Sequence, residues 1–280
     1  MPNGLRATAS ALASAGAVLL LFGNAVASER DVSLHDMNAM EWVKLGTGGL
    51  AAKTVIGDTA SFIIGSLEPG AATRPHDHVF ETITYGIEGD LVNTVGGVAH
   101  DLAPDGASLA FSHVEHGTRN AGTTRGLFLE CPPVKRPDLQ PPFPKLDPKL
   151  TTSDARPNPD RRQFFKDFRE TSTAWTHVGT NREGALIGDQ VALRVLLIAP
   201  GTANAVNLRP EMTATEQLTY LLAGAGEVTI GGKATPIKAG TLIRMPASSS
   251  RILFRTIGRA PARLLDFHPL SSTPLRASWR

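Results

Sequence analysis

After the first thirty residues, apolar positions come in short runs of Val, Ile, Thr, Leu and Phe that glycine or proline interrupts. Short apolar runs bounded by such residues are typical of β-strands joined by turns. The chain of 280 residues contains 27 Gly and 20 Pro, so turns are frequent. The pattern therefore predicts an all-β protein.

The first thirty residues have a different pattern. A sparse positive region ends at Arg6, an apolar segment covers residues 11–22, and the small residues Ala25-Val26-Ala27 follow. This order is that of a secretory signal peptide, residues 1–27, with cleavage before Ser28. An uncleaved membrane anchor is the alternative, although the apolar segment is short for a membrane span. We therefore expect an exported protein, periplasmic or secreted, with no membrane span after cleavage.

An internal repeat organises the remaining chain. The segment ETITYGIEG at residues 81–89 matches EQLTYLLAG at residues 216–224 in its Glu, Thr, Tyr and Gly positions. Upstream, residues 55–58 (VIGD) match residues 186–189 (LIGD), at similar distances in both copies. Ordered similarity of this kind predicts two copies of one β domain.

A proline-rich stretch separates the two copies and sets the predicted boundaries. Residues 132–162 lack apolar periodicity and are rich in proline, which predicts an extended, semi-rigid linker. A long surface loop within a single domain is the alternative. The prediction is thus a first domain at residues 28–131 and a second at residues 163–280.

Histidines in the first copy have the spacing of metal ligands. In a strand, alternate side chains share a face, so His76 and His78 would point to one side and Asp77 to the other. A third imidazole, His116, would come from a neighbouring strand. Neutral imidazoles bind several transition metals, and three ligands leave coordination positions open. The alternative is that the histidines are neighbours by chance or form a surface patch.

Glycines and prolines around these histidines extend the pattern. The positions concerned are Gly70, His76, His78 and Gly89, then Pro104, Gly106, His116 and Asn120. They resemble the two sequence motifs of the cupin superfamily. The resemblance implies two cupin-type double-stranded β-helix (jelly-roll) barrels in tandem, a bicupin. It also implies one divalent transition metal per chain, Fe, Mn, Cu, Zn or Ni.

The acidic ligand of the motif is displaced here. In the family it lies at the position of Thr82 or Ile83, whereas the nearby acid in this chain is Glu81. Coordination by three histidines and coordination by three histidines plus Glu81 both stay open, and Glu81 would also be the catalytic proton acceptor. Thr82, Thr84 and His113 are the predicted pocket residues.

The second copy lacks this histidine pattern. Glu211 and Thr213 stand where His76 and His78 stand in the first copy, and Ser250 stands where His116 does. The second domain is therefore expected to keep the fold without the metal.

The sequence motifs are compatible with several classes of function. The favoured one is a metal-dependent oxidoreductase of dioxygenase type acting on a small organic acid, enol or phenol. The alternatives are a non-oxidative lyase, decarboxylase or isomerase, and a non-catalytic binding protein. The net charge of +2 includes no basic stripe, so nucleic acid is not an expected partner. A homodimer is compatible with the resemblance.

Overall fold

The structure is a computed structural model that describes residues 32–145, 147–150, 165–169, 171–201, 206–208, 215–247, 249 and 252–270. The predicted signal peptide, residues 151–162 of the predicted linker, Glu211, Thr213 and Ser250 lie outside these residues. Strands and connecting turns make up nearly all of the described chain, which confirms the all-β class. No helix in these ranges has the length and apolar character to span a membrane.

Within the described residues, the first half of the chain contains ten strands and the second half eleven. The first ten are β1 (Ser33–Asp36), β2 (Val43–Lys44), β3 (Leu50–Ile56), β4 (Ser61–Leu67), β5 (Thr82–Glu88), β6 (Leu91–Val95), β7 (Val98–Leu102), β8 (Gly106–Ala110), β9 (His116–Asn120) and β10 (Gly126–Glu130). The others are β11 (Phe165–Asp167), β12 (Thr176–Val178), β13 (Asn181–Ile187), β14 (Val191–Ile198), β15 (Val206–Asn207), β16 (Gln217–Ala223), β17 (Ala225–Ile230), β18 (Lys233–Lys238), β19 (Thr241–Met245), β20 (Leu253–Thr256) and β21 (Ala262–Pro269). Two short 3-10 helices, Pro137–Leu139 and Pro148–Leu150, lie between the halves.

The strands form two large and two small antiparallel sheets. The large sheets have the orders β11-β8-β5-β10-β4-β3-β2 and β1-β19-β16-β21-β14-β13-β12. Their central parts correspond strand for strand, so the sequence repeat is also a repeat of topology. The small sheets are β7-β6-β9 and β15-β20-β17-β18. Each large sheet ends on a strand from the other half, because β1 pairs with β19 and β11 pairs with β8.

The largest apolar cluster contains residues of both halves. Phe62 and Tyr85 belong to it from the first half, and Tyr220 and Phe267 from the second. The rings of Phe62 and Tyr220 lie 5.3 Å apart between centroids. Burial of this apolar surface is the main force that holds the two halves together.

Two buried glutamates add a reciprocal polar contact between the halves. The carboxylate of Glu81 accepts hydrogen bonds from the backbone N–H groups of Asp189 (2.6 Å) and Gln190 (2.7 Å) in the second half. The carboxylate of Glu216 accepts bonds from three consecutive backbone N–H groups, those of residues 58–60, at 2.9 to 3.1 Å. Each glutamate thus accepts the hydrogen bonds of backbone N–H groups in a turn of the other half. Glu216 binds the turn between β3 and β4, and Glu81 binds the turn between β13 and β14.

A glycine in each turn makes room for the partner carboxylate. A Cβ atom at Gly57 would collide with the carboxylate of Glu216, and one at Gly188 would collide with that of Glu81. These are the glycines of the repeated VIGD and LIGD segments. The repeat in sequence therefore encodes a two-way contact between its copies.

The start of the proline-rich segment packs against the first half. Arg136 donates its backbone N–H to Ser61 Oγ (2.8 Å), and Gln140 donates its side-chain amide to the carbonyl of Thr54 (2.6 Å). Further along, Val79 donates its N–H to the carbonyl of Leu150 (3.3 Å). The described residues 132–145 and 147–150 of the predicted semi-rigid linker therefore contact the first half at these points.

Candidate metal centre

Three histidines converge at one edge of the first half. His76 and His116 face each other across an antiparallel bridge, with N–H to carbonyl distances of 3.0 and 2.8 Å. His78 lies two residues further, on the same face as His76. One ring nitrogen from each of the three side chains lies within 4.8 Å of the others. The convergence confirms that the predicted histidines form one cluster.

Hydrogen bonds orient two of the rings. The Nδ1 atom of His76 lies 2.7 Å from the carbonyl oxygen of Arg74, and that of His116 lies 2.9 Å from the carbonyl oxygen of Val114. A carbonyl oxygen only accepts, so Nδ1 carries a proton in both rings, and in the neutral form of such a ring Nε2 has the lone pair that can bind a metal. A backbone carbonyl on the second ring nitrogen is the usual partner of a metal-binding histidine.

The third ring has an unsatisfied polar atom. His78 is buried and stacks on Phe80, with ring centroids 4.4 Å apart. Its Nδ1 atom is buried and has no hydrogen-bond partner within the described ranges. Buried polar atoms normally have partners. A metal ion bound through this nitrogen would supply one for the ring.

Burial keeps two of the imidazoles neutral. It lowers the pKa of His78 to about 2, with further contributions from His76 and His116. Burial likewise lowers the pKa of His116 to about 4, with His76 adding to the shift and the bond to Val114 opposing it. Neutral imidazole is the form that binds metal. The donor set, its orientation and its protonation state all fit a divalent transition metal.

A cavity of about 470 Å³ adjoins the cluster. His76 lines it, together with two arginines, Arg74 and Arg136, and one carboxylate, Glu130. Arg136 comes from the proline-rich segment and is held by a bidentate pair with Asp138, with distances of 3.0 and 2.9 Å. The cavity therefore combines one ring of the cluster with positive charge.

Glu130 is a site residue that the sequence reading missed. It ends β10, where it lies opposite Thr84 of β5, and its carboxylate accepts a hydrogen bond from Thr84 Oγ1 at 3.3 Å. Burial raises the pKa of Glu130, and His76 and Arg136 oppose that rise. The repeat contains a signal for this residue. The segment LECPP at residues 129–133 corresponds to LDFHP at residues 265–269, and both have an acidic residue in second place.

The other predicted site residues lie in different surroundings. Glu81 is outside the histidine cluster, and its carboxylate binds the backbone of residues 189–190 as described above. Its recurrence as Glu216, in the copy that lacks the metal-ligand histidines, is the signal for this structural role. The predicted ligand and proton acceptor Glu81 is therefore placed at the contact between the halves.

The predicted pocket residues are close to the cluster but do not line the cavity in the described structure. Thr82 and Thr84 are buried on β5, and Thr84 reaches the cavity only through its bond to Glu130. His113 has a φ of 64° and donates its backbone N–H to the carbonyl of His78 at 2.7 Å. That contact fixes the backbone of a cluster histidine.

The second half holds a buried charge network on the strands that correspond to β5 and β10. Asp266 accepts hydrogen bonds from Arg194 Nη2 (2.8 Å), His268 Nε2 (2.9 Å), Gln217 Nε2 (2.6 Å) and Thr219 Oγ1 (2.6 Å). Burial pushes the pKa of Asp266 upward, but His268 and Arg194 outweigh it and hold the pKa well below its usual range. Among the described residues, the metal-ligand geometry occurs at the first-half histidines alone.

The sequence matches no protein-family profile and no curated relative. Solved structures with a similar fold include the protein Ylba from E. coli, with a TM-score of 0.65 and 13% identity over 91% of this chain and 97% of that one. AerE from Microcystis aeruginosa gives a TM-score of 0.59 and 14% identity, over 82% and 97% of the two chains. The oxalate decarboxylase of Bacillus subtilis, a protein with Mn(II) centres, gives a TM-score of 0.61 and 13% identity, over 86% of this chain and 78% of that one.

These likenesses show that the fold is cupin-like, as the sequence motifs predicted. At such low identity they show the fold alone. The three-histidine cluster agrees with the metal-binding part of the prediction.

Proposed function

We propose that this chain is a metal-dependent enzyme with a cupin fold, an oxidoreductase of the dioxygenase type that acts on a small organic acid, enol or phenol. The position of His76 carries the proposal, because this residue belongs to the histidine cluster and also lines the cavity. A molecule bound in the cavity would therefore border the metal. The cavity volume of about 470 Å³ is in the range of small-molecule sites.

His76, His78 and His116 would hold the ion, whose role when bound is to act as a Lewis acid and, for a redox metal, to exchange electrons. The chain itself supplies the binding of the substrate. Two arginines line the cavity: Arg136, whose guanidinium is paired with Asp138, and Arg74. Guanidinium groups pair well with carboxylates, which supports an organic acid as substrate.

Oxygen uptake tests the proposal. Protein loaded separately with Fe²⁺, Mn²⁺, Cu²⁺, Zn²⁺ or Ni²⁺ would be supplied with a panel of small organic acids and phenols. We expect oxygen consumption with at least one metal and one acid, and none from His116→Ala. Arg136→Met should raise the KM for a carboxylate substrate about tenfold or more, the value of one charge-assisted hydrogen bond. A panel without any oxygen uptake would contradict the dioxygenase assignment.

A decarboxylase is the second candidate, because oxalate decarboxylase is among the proteins of similar fold. Such a reaction needs no net oxygen consumption. Release of CO₂ from an organic acid under anaerobic conditions would favour it over the first proposal.

The proposal also includes the expected organisation of the chain. We infer two cupin domains in tandem, residues 28–131 and 163–280, with one metal in the first, and export after cleavage before Ser28. The corresponding strand orders of the two large sheets support the tandem arrangement. N-terminal sequencing of protein recovered outside the cytoplasm would test the cleavage site.

A further inference from the structure

We propose that Glu130 is a fourth ligand of the metal centre and supplies its negative charge from strand β10. This inference rests on the proposed metal centre and adds a residue to it. In the structure the Glu130 carboxylate lies outside the three-histidine group and binds Thr84 Oγ1 at 3.3 Å. Ligation would require the side chain to turn toward His76, with which it shares the cavity.

Charge is the first argument. Three neutral imidazoles leave both positive charges of a divalent ion uncompensated, in a place where two of the rings are buried. The described cavity lining contains two arginines, Arg74 and Arg136, and a single carboxylate, Glu130. A carboxylate is a common ligand for the metals that also accept imidazole. Glu130 is therefore the lining residue that can neutralise the ion.

The second half shows how far a carboxylate at this strand position reaches. Asp266 corresponds to Glu130, since Thr219 pairs with Asp266 as Thr84 pairs with Glu130. Asp266 bonds to the side chain of Gln217 at 2.6 Å. Gln217 is the first residue of β16, as Thr82 is of β5. The carboxylate and the side chain of the first strand residue thus meet on one face of the sheet.

In the first half the side chains at these two positions differ in length. Thr82 is much shorter than Gln217, and Glu130 is one methylene longer than Asp266. Glu130 has no guanidinium on the paired strand, because Ile63 stands opposite it where Arg194 stands opposite Asp266; Arg136, which shares the cavity, makes no hydrogen bond to it among the described residues. The carboxylate of Glu130 accepts a single hydrogen bond from the described residues. It is therefore available to a cation that enters the cavity.

Titration of the protein with Co²⁺, followed by visible absorption, reports both affinity and ligand set. The variants are Glu130→Gln, the double variant Thr82→Glu with Glu130→Gln, and Glu88→Gln, an exposed carboxylate at the end of β5, as the matched control. Thr82→Glu returns a carboxylate to the same face of the sheet from the neighbouring strand. Circular dichroism checks that each variant is folded.

We expect Glu130→Gln to bind Co²⁺ at least about tenfold more weakly, with a changed absorption spectrum. The double variant should recover much of the affinity, and Glu88→Gln should match the unaltered protein. Unchanged affinity in Glu130→Gln, or weaker binding with an unchanged spectrum, would overturn the inference while the three-histidine centre stands. Absence of Co²⁺ uptake by the unaltered protein would instead contradict the proposed metal centre itself.

Discussion

The two halves of this protein place a carboxylate at the same strand position and surround it differently. In the second half, Asp266 is fully buried and bonded to Arg194, His268 and two polar side chains. In the first half, Glu130 accepts one bond from Thr84 within the described structure and faces a cavity. One carboxylate is thus saturated by the chain, and the other is open to a ligand.

The residue opposite each carboxylate accounts for much of this difference. Arg194 supplies a buried guanidinium opposite Asp266, whereas Ile63 supplies an apolar side chain opposite Glu130. A buried charge without a partner is costly, so a fold that keeps a carboxylate at this position must neutralise it. The second half does so with its own residues, and we propose that the first half does so with a metal.

The largest effect is expected when Arg194 is replaced by isoleucine, the residue that stands at the corresponding position, Ile63, in the first half. Arg194→Ile removes one of the two cationic partners of buried Asp266 and leaves only His268, so we expect the free energy of unfolding to fall by about 3–5 kcal/mol. Urea unfolding measures the loss. Ile63→Val is the matched control at the corresponding position and should cost about 1 kcal/mol. A loss in Arg194→Ile no larger than that of the control would show that the network does not depend on this pair.

The contact between the halves can be tested at its two glycines. Gly188→Ala would push a Cβ atom into the carboxylate of Glu81, and Gly57→Ala would do the same to Glu216. We expect each change to lower the free energy of unfolding by about 1–3 kcal/mol. Gly48→Ala is the control, since a Cβ atom there has no neighbour within 4 Å. Equal stability of all three variants would contradict the reciprocal contact.

The smallest expected effect is a change with pH in the free energy of unfolding, which arises from Asp266 in the second half. Asp266 has a lowered pKa when folded, so its stabilising contribution is present above its unfolded pKa of about 3.9 and is lost as the pH falls below that value. The difference in unfolding free energy between the unaltered protein and Asp266→Asn should therefore narrow by about 1 kcal/mol between pH 5 and pH 3. Unfolding in urea across this range measures it. A constant difference would contradict the assignment of this charge.

The sequence predicts the structural features that come from its internal repeat or from the alternation of side chains along a strand. Short apolar runs predicted the all-β class, and the spacing of His76 and His78 predicted one cluster with His116, which the structure confirms. The sequence assigns Glu81 to the metal site because it is the acid next to the usual acidic position of the motif, that of Thr82 or Ile83. Its partners, the N–H groups of residues 189–190, are distant in sequence and become neighbours only through packing.

Glu130 and Arg136 were missed for a related reason. Glu130 approaches the site from a strand that pairs with β5, and Arg136 lies in a segment whose proline content predicts a semi-rigid linker. Neither residue has metal or catalytic spacing in the sequence. The pairing of β10 with β5 brings Glu130 to the cavity, and the packing of residues 132–145 against the first half brings Arg136 there. Only a three-dimensional structure shows those two contacts.

Metal content is the most direct test of the central claim, that His76, His78 and His116 hold one divalent ion per chain. Elemental analysis would compare the unaltered protein with His76→Ala, His116→Ala and His177→Ala, the last an exposed histidine outside the site. We predict about one equivalent of transition metal in the unaltered protein and in His177→Ala, and substoichiometric metal in the other two, each shown to be folded. Stoichiometric metal retained in both His76→Ala and His116→Ala would contradict the account.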